Sequence, residues 1–383
     1  MVATTGIRNE SFGADKLDQG TGGQQVLCPL DLQVWAVDRM LNFEITDDPH
    51  YEGLELQVFD DPIHGRGMIV LLKRSHDRRF DVYRQPGLAL DPAYVQVGGE
   101  LGEWRQASIE PARFEIGPCG IDVDVRLSDL AGRDIRVRID DRDGRRRHPG
   151  TLLAPVGSTI EHPVSLPLFL MSGCDLVRKT GSAFDLRIGG RRVTTGRLPG
   201  GWLHRRRLVK YTAAPTAVVL NPAGDGSVAA VDPRTPGNVR FDGTSNRIEG
   251  LQARTAAGHR AGLVLEPALP DIARLRPDVL ATGDWRLAID DNPAVVGGTW
   301  TVERRQNHVH VVLDVTRGWR PRGLPPLMAA VTRVAPVFRK WPTTYCWSAT
   351  ITLGDPPLLS SRWERKSSQR DQSYRRLTTA RPR

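Results

Sequence analysis

Apolar and polar positions alternate with a period of two in many short runs of this chain. In two places the alternation can be followed across both arms of a hairpin. In residues 121–139, Ile121, Val123, Val125 and Leu127 alternate with Asp122, Asp124, Arg126 and Ser128, and Ile135, Val137 and Ile139 resume the pattern. The link Leu130-Ala131-Gly132 fits a three-residue loop ending on a glycine, where a left-handed backbone is needed. That loop sets Leu127 opposite Ile135, Val125 opposite Val137 and Val123 opposite Ile139, with Asp124 facing Arg138 on the wet side. A slip of one residue would bury the charges, so the register is strongly specified. Residues 300–315 behave the same way. A turn at Gln306-Asn307 pairs Arg304 with Val309, Val302 with Val311 and Trp300 with Leu313, and puts Glu303 across from His310 and Thr299 across from Asp314.

Further strand patterns start near 54–59 and 67–72 and continue at 93–97, 108–116, 181–192, 203–220, 262–265, 284–289 and 345–353, punctuated by Gly, Pro, Asn and Asp turns. Residues 221–262 read either as an elaborate loop region or as a run of weak strands. Two segments have helical spacing. Residues 31–41 place apolar side chains at 32, 34, 35, 37, 40 and 41. Residues 326–340 begin on Pro326, and Pro336 must kink or end that helix. The predicted fold class is mostly β: two consecutive antiparallel β-barrel or sandwich domains with one or two short helices. The expected division is a flexible N-terminal arm over 1–25, a first domain over 26–200, a second over 201–360 and a basic disordered tail over 361–383.

Composition adjusts this picture in a few places. A chain of 383 residues favours two cores over one. Of the net charge of +9, the last 23 residues contribute +6, from eight basic residues against Glu364 and Asp371, so the rest carries only +3. That distribution argues against a specific nucleic-acid footprint, which needs a basic stripe on the folded part. No apolar run is long enough for a transmembrane segment, and the first residues lack the apolar core of a secretory signal, so a cytoplasmic location is expected. Cys28, Cys119, Cys174 and Cys346 lack metal-ligand spacing and read as free thiols. No metal or other cofactor is expected.

The candidate chemistry is sparse. There is no P-loop, HExxH, GxSxG or paired CxxC. His50, Tyr51 and Glu52, at the start of a strand pattern, offer the groups a general acid–base site would use, and any polar turn offers the same. Arg205 and Arg207 share one strand face and could fork a carboxylate or phosphate, or simply charge an edge strand. Trp285 and Trp300 sit on the apolar faces of their strands, where large rings fill a core or line a ligand cavity. His308 and His310 fall on the outer face of their hairpin, which argues for a surface role.

The pattern Arg113-Phe114-Glu115-Ile116 leading into 121–139, then 298–315 and the closing 347–353, resembles the tandem lipocalin-like (calycin) proteins of the hydroxyneurosporene synthase type. The likeness lies in architecture, over about 300 residues, and transfers no catalytic residue. It implies a cavity for a hydrophobic small molecule of the terpenoid or polyketide class. A few polar groups there would support cofactor-independent hydratase, cyclase or isomerase chemistry, whereas a plain carrier would use the cavity without chemistry. The alternative is a non-enzymatic interaction scaffold with filled β domains.

Overall fold

The computed structural model describes residues 25–366 except 78, 93–99, 158–159, 199, 201–203, 244 and 322. The expected strand at 93–97 and residues 367–383 of the expected tail lie outside the described residues. Strands dominate, and both hairpins adopt the register read from the sequence. Leu127, Val125 and Val123 face Ile135, Val137 and Ile139, with Asp124 opposite Arg138 and Gly132 at φ 74°. Trp300, Val302 and Arg304 face Leu313, Val311 and Val309, with Gln306 at φ 53° in the turn.

Among the described residues three large sheets stand beside a two-stranded one, Val26–Cys28 with Ala229–Val231. A ten-stranded sheet runs in the order Leu32–Ala36, Thr216–Leu220, Leu166–Arg178, Arg206–Ala213, Arg39–Glu44, Tyr51–Asp61, Gly65–Arg74, Phe80–Arg84, Leu101–Gln106, and Gly150–Ala154 pairs with its long strand Leu166–Arg178. One of its faces packs on a five-stranded sheet that includes the first hairpin. Leu41, Leu54, Leu56, Val70 and Tyr211 meet Val123, Val125, Val137 and Leu186 in that core. A nine-stranded antiparallel sheet from Gly224–Ser227 to Val239–Phe241 forms the second half. Pairing passes from one half's sheet to the other's at residues 221–223. Strands Arg206–Ala213 and Thr216–Leu220 therefore belong to the first half's sheet, beyond the division expected near 200. Residues 221–262 contribute the short strands Gly224–Ser227, Ala229–Val231 and Val239–Phe241, and then Ile248–Arg254.

Two segments differ from their sequence reading. Residues 31–41 form no helix; they are two strands, Leu32–Ala36 and Arg39–Glu44, joined at a corner where Val37 N–H donates to the Pro215 carbonyl and Asp38 N–H to that of Val58. The corner shifts the phase of a period-two pattern, and both faces are covered, so the apolar positions mimic a helix. Residues 361–365, expected in the basic tail, complete the strand Leu358–Arg365. Trp363 there is fully buried, its indole N–H donating to the Asn221 carbonyl at 2.7 Å. The helix at 326–340 forms as two pieces, α1 (Pro326–Val334) and α2 (Pro336–Lys340), broken at the proline.

The second half is filled by rings. Gly283, Trp300, Leu313, Trp347 and Trp363 lie side by side across five strands. A Cβ on Gly283 would meet the Trp300 indole at 2.6 Å, so the missing side chain is what lets the ring lie against that strand. This core continues into the first half through Leu32, Leu168 and Val218.

The two halves are also tied by polar groups. The Thr216 hydroxyl donates to Asp290 Oδ2 at 2.8 Å, His259 Nδ1 lies 3.1 Å from the same oxygen, and the Arg260 amide donates to Oδ1 at 2.8 Å. Burial pushes the Asp290 carboxyl up, but the Arg260 amide, His259 and Thr216 outweigh it and hold it below its ordinary value. A depressed carboxyl contributes stability that is present above its unfolded value and lost as pH falls through its folded one. Urea midpoints of the wild type should therefore fall below about pH 4. In Asp290→Asn that part of the fall should disappear, and parallel pH profiles for the two proteins would show the tie to be neutral.

Candidate functional site

The long strand Leu166–Arg178 changes partners along its length. Its first part pairs with Thr216–Leu220, and its last part pairs with Arg206–Ala213. Gly173, at φ 69°, sits between them, and only glycine adopts that backbone without strain. The corners at residues 37–38 and 214–215 match this bend, so the sheet folds over on itself into two walls. The walls enclose a cleft of about 280 Å³. Trp35, Phe169, Ala217 and Val219 line it from one side, and Met40, Leu71 and Phe80 from the other.

Four polar side chains enter this apolar cleft. Lys210, Asn42 and Glu55 stand in one row across neighbouring strands, continued by Leu71, and Gln57 follows Glu55 on the same strand face. Asn42 Nδ2 donates to Glu55 Oε2 at 2.8 Å and Gln57 Nε2 donates to Oε1 at 2.5 Å. Burial pushes the Glu55 carboxyl above the usual carboxylate range; the amide donors Gln57 and Asn42 and the Lys210 charge oppose this without cancelling it. A carboxyl raised in this way, oriented by two fixed donors, is suited to exchange a proton with a bound molecule.

The sequence-based candidates lie elsewhere and do not converge. His50 is in the exposed turn before the strand, its amide donating to Asp48 Oδ1 at 3.0 Å. Tyr51 turns inward, buried, and its hydroxyl donates to Asp129 Oδ2 at 3.3 Å. Glu52 turns outward and pairs with Lys73 at 2.6 Å. The period of the strand thus separates the three. Arg205 is exposed, and Arg207 stacks its guanidinium over the Phe184 ring at 4.7 Å. Trp285 and Trp300 are each 1 % exposed in the second half's core and do not line this cleft. His308 and His310 lie beside Thr352 and Thr350 on the outer face of their hairpin.

Nothing in the sequence at these positions singles out Asn42, Glu55, Gln57 and Lys210: Glu55 and Gln57 alternate with the core residues Leu54 and Leu56, which is how a solvated strand face reads. One signal was present. The neighbouring strand carries the unbroken apolar run 68–72, and such a run implies cover on both faces. No family model, curated protein or solved structure matches the chain.

Proposed function

We propose that the cleft between the two walls binds a hydrophobic small molecule of the terpenoid or polyketide class, and that Glu55 exchanges a proton with it. The observation that carries this reading is a raised carboxyl held by Asn42 and Gln57 in an otherwise apolar cleft. A cleft of about 280 Å³ is at the lower end of small-molecule sites. The chemistry that fits is isomerisation without a cofactor. Protonated Glu55 gives its proton to a bound alkene or enol carbon, and the carboxylate, steadied by the two amides, takes a proton from an adjacent carbon. Protons and electrons balance with no co-reactant. The lipocalin-like reading of the architecture belongs to the same proposal, supported by the curled sheet around the cleft.

The neutral probe N-phenyl-1-naphthylamine should bind saturably near one equivalent and change the emission of Trp35, which lines the cleft. Ala217→Trp, which fills the cleft, should abolish that binding while the protein stays folded. Glu55→Gln should keep binding and change the response to pH. A raised carboxyl stabilises the fold below its unfolded value, and that contribution is lost as pH rises through its folded value. Wild-type stability should therefore decline above about pH 4 by an amount missing in Glu55→Gln. Unchanged probe binding in Ala217→Trp would place the ligand elsewhere. No binding at all would leave the scaffold reading in its place.

A further inference from the structure

A second concave region lies on the other side of the apolar cluster that includes Met40, Phe169 and Met171. Two adjoining clefts, of about 470 and 740 Å³, share the stretch Arg317-Gly318-Trp319-Arg320. Arg286 lines the first and Arg333 and Arg339 line the second, so five guanidinium groups border one continuous depression. Neither lining contains an Asp or Glu. The sequence explains why: from 315 to 354 the chain carries six basic residues and no acidic one.

Arginine is abundant throughout this chain, so its number here means little. What sets the region apart is that five of them border one depression whose lining holds no carboxylate; Arg74 and Arg133, by contrast, are held by Asp81 and Asp129. Among the described residues, Arg320, Arg333 and Arg339 form no ion pair. Arg317 reaches Asp284 at 2.9 Å and Arg286 reaches Glu266 at 3.8 Å, both in exposed pairs whose carboxylates lie outside the linings. Three of the five guanidinium groups are therefore left without a carboxylate partner.

The region is also anchored. Trp319, Leu324, Met328 and Phe338 pack against Met40, Leu152, Met171 and Cys174. A Cβ on Gly150 would meet Pro325 at 2.7 Å, so the helical arm approaches that strand as closely as glycine permits. Like charges held at fixed positions raise the free energy of the empty depression, and an anion seated among them removes that repulsion. A planar guanidinium suits phosphoryl oxygens because it donates two parallel hydrogen bonds. One carboxylate would balance one of the three unpartnered charges, whereas a phosphoryl or diphosphoryl group balances two or more.

From the acid-free linings and the unpaired Arg320, Arg333 and Arg339, we infer that this depression binds a phosphoryl-bearing anion. The site is independent of the cleft around Glu55.

Calorimetric titration of the full chain with inorganic pyrophosphate at low salt should give saturable binding near one equivalent. The triple variant Arg320→Ala, Arg333→Ala, Arg339→Ala should lose at least tenfold in affinity with an unchanged melting temperature, since all three side chains are exposed. A control triple of equal charge, Arg66→Ala, Arg145→Ala and Arg234→Ala, should lose less than about twofold through its long-range field. A parallel arm uses phosphatidylglycerol vesicles against phosphatidylcholine vesicles. Binding in the calorimeter identifies a free phosphate, and binding to the anionic vesicles alone, sensitive to the cleft triple, identifies a lipid headgroup. Equal loss in both triples, or no binding in either arm, would overturn the site.

Discussion

Replacing Val311 with aspartate is expected to leave no folded protein at neutral pH. Val311 is fully buried between Val302 and Ala349 in the second half's core. An unpaired carboxylate there costs at least several kcal/mol, which rivals the whole stability of a typical domain, about 5–15 kcal/mol. His310→Ala, one residue away on the outer face, should change stability by no more than about 0.5–1 kcal/mol. Circular dichroism and urea melts of the two variants measure the contrast. Equal damage from both would mean that the strand presents its faces the other way round, and would make His310 a candidate for function.

The second large effect is expected at Asp129. Its carboxylate accepts the Ala131 and Arg133 amides at 3.0 and 2.8 Å, Arg133 Nε at 2.8 Å and the Tyr51 hydroxyl at 3.3 Å. Beside it, the Tyr83 hydroxyl accepts the Leu130 amide at 3.1 Å. The group locks the loop of the first hairpin onto the end of the first half's core. Burial, with the neighbouring Tyr83 and Asp129, pushes the Tyr51 hydroxyl far above its ordinary range, so it stays neutral and serves as a donor. Asp129→Ala leaves Arg133 with only Asp48, at 3.8 Å, and leaves buried donors without acceptors, at a cost of about 3–5 kcal/mol. Asp129→Asn keeps part of the bonding and should cost less. A urea midpoint unchanged in Asp129→Ala would show that the loop is held by its apolar contacts, and would free Tyr51 for another role.

The readings that succeeded share a cause. Both hairpins carry their partner within about twenty residues, with charge opposing charge on one face and apolar side chains meeting on the other, so local pattern alone fixes the register. The break at Pro336 was legible for the same reason, since a proline needs no distant partner to end a helix. The cleft around Glu55 was not legible because its cover is non-local. The side chains that bury Glu55 and Gln57 come from residues 154–171 and 210–219, and nothing in the alternation of 54–59 announces them. Residues 31–41 read as a helix in sequence because a corner in a doubly covered strand imitates the spacing of one. His50, Tyr51 and Glu52 looked convergent only as adjacent letters; a strand sends neighbours to opposite faces.

The bend at Gly173 and the matching corners also govern the order in which the chain can be completed during synthesis. The strand Leu32–Ala36 emerges early, yet its hydrogen-bonding partner in the ten-stranded sheet is Thr216–Leu220. Until some 180 further residues have followed, it is an unpaired edge, the kind of surface on which nascent chains associate wrongly. Glu55 and its two amide donors are likewise in place long before Lys210 and the wall carrying Ala217 and Val219 arrive. The pocket is therefore a late product of folding, assembled by the same segment that passes the chain from one half to the other.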